Sequence, residues 1–284
     1  MNPLTARPTI ALSAMWDTFP KRFTWIAEHG FALDYSPNPE AFDTLAGHVD
    51  PFVEAGIPVR YHGFFPAYEF GHRDPAASER AVRVHRAALE AMRGRGEQVI
   101  TFHVGLTQKD QIDPGRVVEN LARLVEHARG LGITVCLENL RTGPSSHPEN
   151  VVAWARASGA MITCDVGHVV SCDRVQSGEL TPLDILEMFA DRLWHVHMYE
   201  RETDRHRPPR DMTILGPIVD RLLATGCTWW TIELGDLAEA LATRALLLEY
   251  LRQVRKGGYY PDLRRSRLGR SCVGRVGTTY PKNH

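Results

Sequence analysis

ITVCLENL (133–140), MITCDVGH (161–168), LWHVHMYE (193–200) and WWTIELGD (229–236) are four short apolar runs that share one ending. Each is rich in β-branched or aromatic residues, and each runs into Glu, Asp or His. Runs of this length and composition read as strands buried on both faces, the pattern of a parallel sheet. Between them the spacing changes. In 113–132, Val118, Leu121, Leu124, Val125 and Ala128 recur three or four residues apart before Gly130 and Gly132, which predicts an amphipathic helix with a glycine stop. The same helical spacing runs through 75–93, 148–158, 181–191, 217–226 and 237–254, most of it opened by Asp, Thr or Pro near the first turn, as helix starts prefer.

Working outward toward the N-terminus, the cycle repeats in TIALSAM (9–15), FALDYS (31–36), PVRYHG (58–63) and QVITFHVG (98–105). Strand, helix and strand in this rhythm imply parallel pairing. Eight such cycles predict an α/β domain, a (β/α)8 TIM barrel over residues 1–254, in preference to a doubly wound open sheet. The 284 residues, 43% hydrophobic and 24% charged, supply the core such a domain needs.

The formal net charge is −1, but it is divided unevenly. Residues 255–284 hold eight Lys or Arg against one Asp, leaving −8 on residues 1–254. The Gly- and Arg-rich tail shows neither period and is expected to be loosely ordered. An acidic body argues against long nucleic acid as the partner and for a small-molecule substrate. No run approaches the roughly 18 apolar residues of a membrane span, and the start MNPLTARPTI lacks the apolar core of a secretory signal. A cytoplasmic protein without membrane contact is the expectation. Cys136, Cys164, Cys172, Cys227 and Cys272 are scattered and form no CxxC pair, so neither a disulfide framework nor a thiolate metal site is indicated.

In a β/α barrel the active site gathers where strands end. Here those ends carry His62, His103, Glu138, Asp165 with His168, His197 and Glu233, and the loop after the seventh strand adds Asp204 and His206. Any one of these has an ordinary explanation as a hydrogen-bonded rim group. Together they do not, because so many carboxylates and imidazoles in one mouth would repel each other unless cations lay between them. Nitrogen and oxygen donors of this kind suit zinc, with manganese or iron as alternatives. His195, two residues before His197, faces the same interior one layer deeper and reads as a supporting group. His29, His48, His85 and His127 fall in helical segments or at their ends and are expected at the surface.

FHVG with His103, LENL with Glu138, CDVGH with Asp165 and His168, HVHMYE with His197, and TIELG with Glu233 resemble the xylose-isomerase-like barrel superfamily over residues 9–250. That superfamily includes sugar isomerases and epimerases and the endonuclease IV group of apurinic-site nucleases (AP endonuclease family 2). The simpler isomerase plan implies one metal on Glu138, Asp165, His197 and Glu233. This sequence also carries His62, His103, His168 and the triplet Asp204, Arg205 and His206, which is similar to the nine-ligand, three-zinc set of endonuclease IV.

That resemblance implies one metal on His62, His103 and Glu138, a second on Glu138, Asp165, His197 and Glu233, and a third on His168, Asp204 and His206. It makes Glu138 and Glu233 catalytic carboxylates that orient the attacking nucleophile. Arg205 either touches phosphate or pairs with a carboxylate, and Phe64 and Phe65 either stack against substrate or pack their loop. Two features depart from the nuclease: the loop between His197 and Asp204 is shorter, and ALSAM lacks its GAH-like opening. The resemblance then implies a metal-dependent phosphodiester hydrolase of a small molecule, with a branch that cleaves the nucleotide loop of cobamides as its most specific form. The alternatives are an apurinic endonuclease and a one-metal sugar isomerase or epimerase.

Overall fold

The computed structural model describes residues 7–257, and the basic tail from residue 258 onward lies outside the described residues. Eight parallel strands close into a barrel: β1 (Thr9–Met15), β2 (Ala32–Ser36), β3 (Val59–Gly63), β4 (Val99–Phe102), β5 (Thr134–Glu138), β6 (Met161–Asp165), β7 (Leu193–Met198) and β10 (Trp229–Ile232). Neighbours around the barrel run β1-β10-β7-β6-β5-β4-β3-β2. A two-stranded antiparallel hairpin, β8 (Arg201–Glu202) and β9 (His206–Arg207), stands above the barrel after β7.

The outer layer comprises α1 (Phe19–Glu28), α2 (Leu45–Glu54), α3 (Pro75–Met92), α4 (Pro114–Gly130), α5 (Pro148–Ser158), α6 (Val166–Ser171), α7 (Asp173–Gln176), α8 (Pro182–Phe189), α9 (Leu215–Thr225) and α10 (Leu237–Gly257). Their starts follow from local chemistry. Asp74 and Asp113 accept hydrogen bonds from Ala77 N and Arg116 N ahead of Pro75 and Pro114, and Thr181 with Asp184 forms a capping box, satisfying amides the first helical turn leaves without partners. α5 and α9 end on Gly159 and Gly226 at φ 84° and 78°, a left-handed stop that suits glycine. The apolar faces of these helices pack on the barrel wall in one continuous core.

Two local features set the site. The sixth strand is shorter than its apolar run: it stops at Asp165, whose carboxylate accepts from His168 N at 2.6 Å and caps α6. His168 therefore projects from the first turn of a helix and not from a strand end. Between Ile162 and Thr163 the register to β7 slips by one residue, so Trp194 swings outside, 44% exposed, while His195 and His197 both turn inward, fully buried. That is the re-aiming a β-bulge produces.

Inside the barrel Asp34, Thr101, Thr163, His195 and Thr231 make a fully buried polar layer. Thr231 donates to Asp34 Oδ2 at 2.8 Å, His195 Nε2 lies 2.8 Å from Thr231 Oγ1, and the Thr101 and Thr163 hydroxyls are 2.7 Å apart. This layer is the platform on which the functional groups stand. Cys136, Cys164, Cys172 and Cys227 are free and buried; Cys272 lies outside the described residues. Among the described residues no helix is long and apolar enough to cross a membrane.

Candidate metal centre

Glu138, at the end of β5 and 1% exposed, is the hub. Its Oε2 lies 3.0 Å from His103 Nε2, 3.4 Å from His62 Nε2 and 3.2 Å from His197 Nδ1. Glu233, just past β10, sets Oε1 at 3.2 Å from His62 Nδ1 and 3.4 Å from His197 Nδ1. Asp165 Oδ2 is 4.0 Å from His197 Nδ1 and 3.6 Å from His168 Nδ1. His62 and His103 point their Nε2 atoms at each other across 2.9 Å.

The donor atoms fall into overlapping groups: His62, His103 and Glu138; His62, His197 and Glu233; and Glu138, Asp165, His197 and Glu233. Within each group all the atoms lie within 4.8 Å of one another. Glu138 Oε2, Asp165 Oδ2 and both ring nitrogens of His197 are buried yet have no hydrogen-bond partner of acceptable geometry. Close approach without hydrogen bonding is costly for buried polar atoms. A divalent cation would remove that cost at Glu138 Oε2, Asp165 Oδ2 and His197 Nδ1, since it takes one electron pair from each, while His197 Nε2 faces Asp34 on the other side of the ring. The donors are imidazole nitrogen and carboxylate oxygen, with no sulfur among them, so the residues fit zinc, manganese or iron.

The side chains alone show how strongly the pocket is poised. Burial would lower His62, but Glu233 and Glu138 outweigh it and raise its pKa to about 10. Burial also opposes the charge on His197, and Glu138 and Glu233 hold its pKa well above the ordinary imidazole range. Burial would raise Glu233, whereas His197 and His62 bring it down to about 2. Glu138 likewise goes well below the carboxylate range, against burial, through His197 and His103. At Asp165 burial wins and raises the carboxyl to about 6; at His103 burial wins and lowers the imidazole.

A fourth group of donors adjoins these. His168 Nε2 is 3.4 Å from Glu202 Oε2, and His168, Glu202 and His206 bring one ligand atom each within 4.8 Å of the others. His206 is stacked on the buried Tyr199 ring, centroids 3.9 Å apart and planes 6° apart. All four groups contribute residues to the lining of one cavity of about 480 Å³. Its floor is His62, His103, Glu138 and Glu233, its apolar wall includes Met15, Phe64, Leu106, Leu140 and Leu234, and Lys109 and Arg141 stand at its polar side. Arg22 braces the wall: its guanidinium donates to Ser13 O, Leu234 O and Gly235 O at 2.6, 2.9 and 2.6 Å.

Residues 25–253 match the family described as "Xylose isomerase-like TIM barrel". The chain belongs to that family. An uncharacterized protein of Methanocaldococcus jannaschii is 38% identical over 162 residues, 57% of this chain and 70% of that one. Among solved structures, a D-tagatose 3-epimerase-like protein superposes with a TM-score of 0.72 at 18% identity, covering 88% of this chain and 100% of its own. Endonuclease IV from Thermus thermophilus superposes with a TM-score of 0.63 at 17% identity, covering 85% and 100%. At these identities the superpositions speak for the barrel alone.

Within this xylose isomerase-like frame, His62, His103, Glu138, Asp165, His168, His197, His206 and Glu233 are brought together as the sequence suggests. Asp204 is not. It sits at the tip between β8 and β9 with its side chain 74% exposed, held by Thr203 and Arg207. Arg205 points away as well, bound through both amino groups to the Glu239 carboxylate, which is the carboxylate-pairing option. Of the two phenylalanines, Phe64 lines the cavity. Phe65 is 2% exposed and packs edge-on against Phe42 and His85, so it serves the core.

His85, expected at the surface, is buried among Phe65, Phe70 and Phe102, where burial lowers its pKa to about 4. The helix turns its ring inward onto an aromatic pocket that helical spacing alone did not reveal. Sequence reasoning also passed over two residues. Glu202, not Asp204, has its carboxylate beside His168 and His206, and no spacing along the hairpin announced it. Asp34, the one carboxylate in the fully buried β2, sets Oδ2 at 3.2 Å from His195 Nε2 and 3.6 Å from His197 Nε2. A lone acid in a strand with both faces buried was the clue.

Proposed function

We propose that this xylose isomerase-like barrel is a multi-metal phosphodiester hydrolase acting on a small molecule. The observation that carries the reading is the extent of the donor set. Glu138, Asp165, His197 and Glu233 form one complete four-residue group, yet His62 and His103 on one side and His168 and His206 on the other continue it along the cavity floor. A single ion of four to six ligands leaves these imidazoles unused. Divalent ions seated there supply Lewis acidity toward phosphate oxygens and acidify water.

The chain's own groups do the rest. Glu138 and Glu233 present buried carboxylates at the cavity floor and orient the attacking nucleophile. Lys109 and Arg141 place positive charge where the substrate's remaining anionic groups would lie, and the apolar wall excludes water around the scissile bond. The cavity volume of about 480 Å³ and the −8 charge on residues 1–254 favour a compact organic phosphodiester over duplex DNA. A cobamide's nucleotide loop carries such a phosphodiester and is the specific substrate we favour, the cavity being sized for the loop and not for the whole cobamide. A one-metal ketose epimerase is the second reading, favoured by the completeness of the four-residue group.

The test is metal analysis of purified full-length protein, paired with assays on bis(p-nitrophenyl) phosphate, a cobamide and a ketose. More than one equivalent of metal and phosphodiester cleavage are expected, with His62→Ala and His103→Ala each slowing cleavage by about a hundredfold. One equivalent of metal, ketose epimerisation and indifference to both substitutions would establish the epimerase instead.

A further inference from the structure

Six of the eight barrel strands carry an imidazole or carboxylate at or next to their carboxyl ends, and two do not. β1 and β2 end in Met15 and Ser36. Ser13 pairs in register with Asp34, so Ser36, two residues on, stands diagonally beside Ser13 on the same face of the pair. Both serines line the cavity, and neither hydroxyl has a hydrogen-bond partner among the described residues.

Arg22 closes this corner of the cavity from α1. It is buried, yet among the described residues no carboxylate pairs with it: its guanidinium donates only to the carbonyls of Ser13, Leu234 and Gly235. Burial lowers its pKa with no acid opposing the shift. A buried cation held by neutral dipoles alone is costly, and an anion beside it offsets that cost. Donors remain to receive one. Of the five guanidinium N–H groups, Nη2 spends both of its own and Nη1 spends one. The Nε–H and the second Nη1–H are left without an acceptor among the described residues.

Resting on the hydrolase reading above, we propose that Arg22 and the Ser13 and Ser36 hydroxyls form an oxyanion subsite that holds a nonbridging oxygen of the substrate phosphate from the β1–β2 side. Guanidinium and hydroxyl donors suit phosphate oxygens. The subsite also adjoins the donor groups on the floor. Leu234 and Gly235, which fix the guanidinium, directly follow Glu233, and Glu233 faces His62 on β3, the strand next to β2. Charge that builds on the phosphate oxygens during attack is then met from this side as well.

The experiment uses the zinc-loaded full-length chain, with inorganic phosphate binding followed by calorimetry and bis(p-nitrophenyl) phosphate cleavage followed in parallel. Arg22→Met should weaken phosphate binding and lower kcat/KM by about 10–100-fold, the range for a hydrogen bond to a charged group. Because Arg22→Met also frees three carbonyls and lowers Tm, Ser13→Ala and Ser36→Ala are the deciding variants. They keep every backbone carbonyl that Arg22 binds, and each should weaken phosphate binding by about three- to tenfold at unchanged Tm and zinc content. If both serine variants bind phosphate as the unmutated protein does, the subsite is overturned and Arg22 is a brace alone, whatever Arg22→Met does; diester cleavage by the same proteins then still supports the hydrolase reading. Weakened phosphate binding in the serine variants of a protein that cleaves no diester would do the reverse, removing the hydrolase reading and leaving the oxyanion subsite in place.

Discussion

Gly167→Ala sets two opposing magnitudes against each other. Gly167 lies in the first turn of α6 with no left-handed backbone to maintain, so helix propensity alone would favour alanine by about 1 kcal/mol. Space argues the other way. A Cβ at this position would lie 1.9 Å from Tyr199 Cε2, 2.3 Å from Cδ2 and 2.4 Å from Cζ, where carbon–carbon contact needs about 3.5 Å. The ring must retreat by roughly 1.5 Å, but Tyr199 is fully buried and already stacked on His206.

Overpacking of a rigid buried ring costs about 1–3 kcal/mol and at times more, so the clash outweighs the propensity gain. At the upper end of that range, where a 1.9 Å approach to a buried ring belongs, the net loss is about 2 kcal/mol and would lower Tm by about 4–8 °C for a domain of this size. Because the displaced ring carries His206 with it, binding of added zinc should weaken as well if the proposed multi-metal reading holds. Calorimetry of the metal-stripped and metal-loaded forms reads both effects. In a Tyr199→Ala background the added methyl meets no ring, so the penalty of Gly167→Ala should vanish there, a coupling that a double-mutant cycle measures. A Gly167→Ala protein that melts at or above the unmutated Tm would refute the close-packing account of the CDVGH motif.

Asp34→Asn should weaken metal binding by about 10–100-fold, the usual effect of losing a carboxylate behind a ligating imidazole, because Asp34 Oδ2 faces His197 Nε2 and His195 Nε2; competition with a chromophoric chelator measures it, and unchanged affinity would remove Asp34 from the site. Stability should also track pH through the His62–Glu233 pair. His62 is raised from 6.5 to about 10, so its contribution is complete below pH 6.5 and lost as pH rises through 10. Glu233 is lowered from 4.5 to about 2, so its contribution is complete above pH 4.5 and lost as pH falls through 2. The metal-stripped protein should therefore be most stable between pH 4.5 and 6.5, and the Tm gain on adding zinc should grow with pH as His62 gives up its proton. A flat Tm of the stripped protein and a zinc shift independent of pH would contradict this.

The barrel itself was legible because its two signals are local. Strands buried on both faces must be apolar along their length, as Val135, Cys136 and Leu137 are in β5, and helices packed on one face must repeat every three or four residues, as Leu121, Leu124, Val125 and Ala128 do in α4. The groups at the strand ends were legible for a related reason: closure of a barrel brings every carboxyl-terminal end to one rim, so His62, His103, Glu138, His197 and Glu233 needed only their positions along the strands to be placed together. Boundaries were less so. MITCDVGH continues apolar past Asp165, and only the capping bond from His168 N to Asp165 Oδ1 turns its last residues into α6.

What the sequence by itself determined, then, is the parallel barrel and the convergence of imidazoles and carboxylates on its mouth, since both follow from periodicity and order along the chain. Tertiary structure decided which polar residues between those fixed points turn inward. In the hairpin the side-chain period is two and a turn intervenes, so spacing from His206 cannot tell Asp204 from Glu202; the cross-strand register does, and it selects Glu202. Asp34 and His85 were hidden for a similar reason. Their roles depend on neighbours far along the chain, His195 and His197 for the one, Phe65, Phe70 and Phe102 for the other, and such contacts exist only once the barrel has closed and the helices have packed on it.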